Sequence, residues 1–164
     1  MRPFREAADR LTTMPGVSET VARVIISEVG VDMTWFPSAG HLVSWAGLCP
    51  RLDESAGKRR STRIRHATPW LKTTLVQAAW AATRKNGSCL QSQFRRLKGR
   101  RGPKKEIVAV AASMLTAACY ILRDETDYHD LGGRYLADRD KHHITQRLLR
   151  RLHDLGVEVE VEAA

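Results

Sequence analysis

Apolar positions recur at helical spacing over residues 4–13 and again from Val21 to Val29, interrupted by Met14-Pro15-Gly16-Val17. Pro15 withdraws a backbone donor and Gly16 admits a positive φ, so the pattern predicts two helices joined by a tight turn. Ser18 stands where an N-cap is wanted; Val21, Ala22, Val24, Ile25, Ile26 and Val29 fall inside the second helix, and Gly30 ends it. A third, short helix is expected over 41–47, after Pro37-Ser38. Trp35, Phe36, Leu42, Val43, Trp45 and Leu48 are expected to seat it on the hairpin.

Farther along, Thr68 is placed to cap a helix and Pro69 to occupy its first position, with the helix continuing to about Lys85. Its apolar positions Leu71, Leu75, Val76, Ala78, Ala79 and Ala82 include small residues that imply close approach by another helix. The natural partner is the long apolar helix over 103–123, and these two are expected to make the core. Between them, residues 94–105 read as a basic connection bent by Gly99, Gly102 and Pro103. Beyond Asp124 a polar, irregular segment carries Tyr128, Leu131, Gly132, Gly133 and Tyr135, followed by a basic amphipathic helix over 141–155. Gly156 stops that helix, and the strict alternation over 157–161 predicts one short strand. A lone strand is marginal in water, so this one is expected either to pair with another subunit or domain or to fray. The expected fold class is mainly α: a helical hairpin followed by packed helices, with one short C-terminal strand. It divides into a helical domain over 1–125 and a C-terminal extension over 126–164.

Charge changes the picture from a generic helical domain to a candidate binder of polyanions. The chain of 164 residues carries a formal net charge of +9 and a pI of about 10.0, which points to nucleic acid before membrane. The longest apolar run, 107–122, is interrupted by Ser113 and Thr116 and reads as a buried helix of a cytoplasmic protein. Cys49, Cys89 and Cys119 show neither paired spacing nor an even count, so neither a disulfide framework nor a metal site is assigned. Asp124, Glu125, Asp127, Asp130, Asp138 and Asp140 read as solvated carboxylates.

The segment Pro50-Arg51-Leu52-Asp53-Glu54-Ser55-Ala56-Gly57-Lys58-Arg59-Arg60 sets one serine between small residues and follows it with cations. A small-residue turn lets a hydroxyl approach a phosphate closely, and Lys58, Arg59, Arg60, Arg63 and Arg65 would hold the anion and offset charge developed during transfer. Ser55 is therefore the candidate nucleophile; by local chemistry alone it is equally a residue of a solvated turn or a phosphate-positioning contact. Asp53 and Glu54 read as loop carboxylates balancing nearby arginines, and His66 as a phosphate contact or surface residue. The second basic run supplies Arg95, Arg96, Lys98, Arg100, Arg101, Lys104 and Lys105 with no carboxylate among them, suited to attracting phosphates rather than reading bases. Trp45, Trp70 and Trp80 read either as core anchors or as rings on which bases stack.

Two resemblances follow from these residues. Leu11-to-Gly30, with its Pro-Gly-Val turn, resembles a helix-hairpin-helix motif, in which Gly16 and Ser18 would offer amides to a DNA phosphate; a hairpin that merely packs is the other reading. The succession of that hairpin, Trp45-Ala46-Gly47-Leu48-Cys49-Pro50-Arg51, Ser55-Ala56-Gly57-Lys58 and Leu71-to-Ala82 resembles the C-terminal domain of the insertion-sequence one-ten transposases, the bridge-RNA-guided serine recombinases of bacterial mobile elements. The resemblance extends over 11–161.

It implies that Ser55 attacks the scissile phosphodiester and becomes joined to DNA through a phosphoserine, with Gly57 and the cations around it as phosphate contacts and no cofactor bound by this chain. It also implies an N-terminal domain of the RNase H fold whose four acidic residues bind a divalent metal, a bridge RNA, and a homo-oligomer of the full enzyme. No such domain is recognisable in this sequence, so the chain alone is expected to be inactive. Ala56, in a place where the family has glycine, is expected to be tolerated if its φ is negative. The alternative function is a non-catalytic DNA- or RNA-binding module from a truncated or decayed transposase.

Overall fold

A computed structural model describes residues 2–50, 53–61 and 69–156. The hairpin of helices forms as the apolar pattern requires, with α1 at Arg2–Thr12 and α2 at Glu19–Val29. The Ser18 hydroxyl accepts a hydrogen bond from the Val21 amide at 3.4 Å, and the amide of Gly30 (φ 83°) returns to the Ile26 carbonyl. After a 3-10 turn at Met33–Trp35, α3 spans Ala39–Trp45 behind its Ser38 cap. A two-stranded hairpin, β1 at Asp53–Ser55 and β2 at Lys58–Ser61, precedes α4 at Pro69–Ala82. Then come α5 at Cys89–Arg101, α6 at Pro103–Asp124 and α7 at Tyr135–Asp154.

The architecture is mainly helical and built around α6. Between Glu106 and Leu122 only Tyr120 is exposed, because α1, α3, α4 and α5 all pack on this helix. By length and composition α6 would suffice to cross a membrane; its apolar character is accounted for by one broad face buried in the bundle, with Val108, Ala109, Ala112, Ser113, Thr116 and Ala117 half-buried on the other. Its most extensive contact is with α4, whose Leu71, Leu75, Ala78, Ala79 and Ala82 are all buried. The expected α4–α6 core is therefore present.

The helical hairpin docks on the same core through its turn. Gly16 has φ +82°, and a Cβ built on it would lie 2.3 Å from the Ala78 carbonyl oxygen and 2.6 Å from the Ala82 amide nitrogen. Only glycine meets both demands there, the left-handed backbone and the contact with α4.

Three expectations are corrected. The basic connection is not merely bent: Cys89–Arg101 is helical, with the Ser88 hydroxyl accepting from the Gln91 amide at 3.1 Å. Leu90 is buried, and Phe94 and Leu97 half-buried, so one apolar stripe suffices to dock a helix whose other positions are mostly polar or cationic. The break falls at Gly102 (φ 85°), with Pro103 opening α6. Helix α7 begins at Tyr135 rather than 141. Trp35 does not seat α3: it is 80% exposed, while Phe36 meets Trp45 edge-on at 5.7 Å.

Several acids read as solvated are fasteners instead. Asp130 Oδ1 accepts from the amides of Cys89 and Gly132, both at 2.9 Å, tying the segment after α6 to the start of α5. Asp140 of α7 pairs with Arg96 of α5, and Glu125 with Arg10 at 3.3 Å. The Tyr128 amide donates to Thr13 Oγ1 at 2.8 Å. Burial, helped by Asp130 and Cys89, pushes the Tyr128 hydroxyl up to about 12, and burial likewise raises the Cys89 thiol. All three cysteines are free. The strand expected over 157–161 lies outside the described residues.

Gly16→Ala should destabilise the chain by about 2–4 kcal/mol, since positive-φ strain and overpacking against α4 both apply. Urea unfolding followed by circular dichroism measures this, and an unchanged midpoint would exclude the tight contact.

Candidate nucleic-acid interface

Strands β1 and β2 pair antiparallel in the register Asp53↔Ser61, Glu54↔Arg59 and Ser55↔Lys58, with an irregularity between Asp53 and Glu54. The connection is two residues long, Ala56-Gly57, and both have positive φ, 52° and 73°. Positive φ at both central residues is what a type I′ hairpin needs to match the twist of its strands. The condition of negative φ for easy accommodation of Ala56 is thus not met. Its Cβ carries a left-handed strain of roughly 1–2 kcal/mol that glycine would not.

Ser55 and Lys58 close the ladder directly opposite each other, and cross-strand partners project from the same face. Both are exposed, as are Ala56 and Gly57. A hydroxyl and an ammonium therefore stand side by side at the tip of a hairpin, open to an incoming phosphate. Arg59 and Arg60 lie on β2; Arg63, Arg65 and His66 lie outside the described residues.

Downstream of the hairpin, helix polarity gathers the second basic run. Gln93 of α5 donates to Ser113 of α6 at 2.8 Å, fixing these helices antiparallel, and Gln91 donates to the Thr83 carbonyl just past α4 at 3.1 Å. The N-termini of α4 and α6 and the C-terminus of α5 consequently share one end of the bundle, where the chain arriving from the serine hairpin enters α4. Lys98, Lys104 and Lys105 are exposed there, and Arg100 and Arg101 occupy the last turn of α5. The first turn of α4 holds no acid, so its amides and helix dipole add to the positive field. Arg95 is exposed on α5, whereas Arg96 is engaged by Asp140.

At the helical hairpin the geometry is different. The Cα of Gly16 faces α4, and the Ser18 oxygen is occupied as the cap of α2.

The two basic runs belong to one longer pattern. Between Glu54 and Glu106 the chain carries fifteen lysines and arginines and no aspartate or glutamate; all eighteen acids lie elsewhere. That signal is present in the sequence, and taken whole it adds Lys72, Arg84 and Lys85 to the candidates. Glu106, which closes the stretch, is only 3% exposed in the first turn of α6, and its Oε1 has no hydrogen-bond partner among the described residues.

Two outcomes are expected. Ala56→Asn, a residue suited to a type I′ turn, should slow hydrogen exchange of the hairpin amides about twofold to fivefold. Replacing Lys98, Lys104 and Lys105 together by Gln should weaken duplex binding and lower the slope of log K against log salt by about 0.9 for each phosphate no longer neutralised. Fluorescence anisotropy across a salt series reads that slope, and an unchanged slope would remove this end of the bundle from the interface.

Over 119 residues the chain is 29% identical to a protein of Streptomyces coelicolor (strain ATCC BAA-471 / A3(2) / M145) described as "Insertion element IS110 uncharacterized 43.6 kDa protein". The aligned part is 72% of this chain and 29% of that relative, so the chain spans less than a third of the relative's length. The family described as Transposase IS116/IS110/IS902 matches residues 8–95, covering the helical hairpin, the serine hairpin, α4 and the first half of α5. With more than half of its length inside that match, the chain belongs to the IS116/IS110/IS902 transposase family.

Proposed function

We propose that this chain is the serine-bearing part of a DNA transposase, in which Ser55 cuts and rejoins DNA strands. The observation that carries the reading is the exposed Ser55 hydroxyl set across from Lys58 at the tip of a hairpin, at the head of a long stretch without carboxylates.

In this mechanism Ser55 Oγ attacks a backbone phosphorus. The phosphorus–oxygen bond to one side of the strand breaks, and the departing oxygen takes up a proton to become a strand hydroxyl. A phosphodiester between Ser55 and the other side of the strand stores the bond, so no nucleotide cofactor is consumed. Attack by the hydroxyl of another strand reverses the step and releases Ser55 with its proton. Lys58 and the cations beyond it bind the phosphate and offset charge on its oxygens as the transferring group passes between partners.

A serine hydroxyl needs help to lose its proton. Among the described residues no three His, Cys, Asp or Glu side chains gather into a group that could hold a cation. In the proposal a divalent ion, which would acidify the hydroxyl, belongs to an RNase H-fold domain acting with this one. A bridge RNA and further copies of the enzyme complete the cytoplasmic assembly.

The test is a covalent adduct between labelled DNA and the complete enzyme, trapped under denaturing conditions. Ser55→Ala should abolish the adduct while changing duplex affinity by no more than about twofold, because a neutral hydroxyl adds little to phosphate binding set by cations. An undiminished adduct would remove Ser55 from the chemistry and leave a nucleic-acid-binding module.

A further inference from the structure

Helix α4 has a second face that the serine chemistry does not use. Its core side is Leu71, Leu75, Ala78, Ala79 and Ala82, and the opposite arc carries Trp70, Thr73, Gln77 and Trp80, all exposed. Trp70 is 75% exposed in the first turn and Trp80 41% exposed near the last, about 15 Å farther along the axis. Phe94 of α5 supports Trp80 edge-on, with ring centroids 5.5 Å apart, and Arg95 and Lys98 follow on the same helix, both exposed.

An indole left this open exposes a large apolar surface, and what covers it must suit its surroundings. On this arc only neutral polar side chains lie between the two tryptophans, and no acid occurs anywhere on α4 or α5. The core of a protein–protein contact wants further apolar residues around its aromatic anchor, which Thr73 and Gln77 do not supply. A paired duplex keeps its base faces stacked inside, so it offers phosphates to the cations but no flat surface to the rings. An unpaired strand offers both, and flat rings interleaved with cations are how such strands are held without sequence preference.

We propose that Trp70 and Trp80, on the outward face of α4, form a stacking site for unpaired nucleobases. The inference rests on the DNA-handling role proposed above and deepens it. A strand being exchanged must leave its complement, and this face holds its bases while the neighbouring cations hold its backbone. A single strand of DNA and a loop of RNA present the same chemistry to these rings.

The test uses the 164-residue chain with three labelled probes: oligo-dT, oligo-rU of matched length, and a DNA duplex. Trp70→Ala should weaken single-strand binding roughly fivefold to hundredfold, with duplex affinity changed by no more than about twofold, and Trp70→Phe should restore most of the affinity. Quenching of tryptophan emission by the single strand, reduced in Trp70→Ala, reports the stack directly. The occupant assigned to this face is the displaced DNA strand, so the effect should be at least as large with dT as with rU; an effect confined to rU overturns that assignment in favour of RNA. Unchanged single-strand affinity in Trp70→Ala, or an equal weakening for the duplex, overturns it, as does an effect confined to self-association. If the unaltered chain binds duplex but no single strand, this inference fails and the DNA-handling role stands. If it binds none of the probes, the role itself fails.

Discussion

The ten buried residues of α6 between Glu106 and Leu122 share one broad face, α1, α3, α4 and α5 pack on this helix, and the directions of those helices then decide where charge collects. Helix α4 makes the most extensive contact with α6, its small residues admitting both that helix on one side and the turn of the helical hairpin at Gly16. The antiparallel return of α5 places its cationic end beside the starts of α4 and α6. One apolar requirement thus produces a positive pole without any basic residue having to seek another, and the free energy of core burial offsets the repulsion among the cations.

Among the acids of α4, α5 and α6 only Glu106 stands at that pole, buried in the first turn of α6, while others fasten the structure elsewhere. Asp130 caps α5, Asp140 holds Arg96 from α7, and Glu125 reaches Arg10 on α1. These contacts fasten the segment after α6 to the opposite end of the bundle and to the flank of α5. Exposed pairs of this kind contribute little stability each; their effect is to fix geometry while keeping carboxylates out of the path of a phosphate chain. Arg96 marks the boundary, a cation of the basic run already matched within the protein.

The serine hairpin shows the reverse arrangement, a short ladder with an exposed tip at 55–58 and local strain at Ala56. Its two-residue turn sets Ser55 and Lys58 face to face, and that pairing is a property of the turn rather than of either residue. Strain retained at a solvent-exposed position beside a candidate nucleophile is the kind of local inconsistency that functional sites accumulate.

The helix cap at Ser18, the Pro69 and Pro103 starts, the Gly16 turn and the α4–α6 core were legible in the residues themselves, because capping and apolar periodicity act within a turn or two of chain. The excess of cations and the isolation of Ser55 among small residues were legible for the same reason. What the linear pattern left undecided is set by contacts between distant residues. The basic run became a helix because Leu90, Phe94 and Leu97 found a surface to dock on; Trp35 and Trp70 stayed outside because the core closed without them. Ala56 took positive φ because the twist of two strands demanded it, and the cations of α5 and α6 met at one end because the helices run antiparallel. Local chemistry determined which segments form and which carry charge; only the packing of those segments decided which side chains face a partner, since exposure depends on neighbours that the chain brings together by folding.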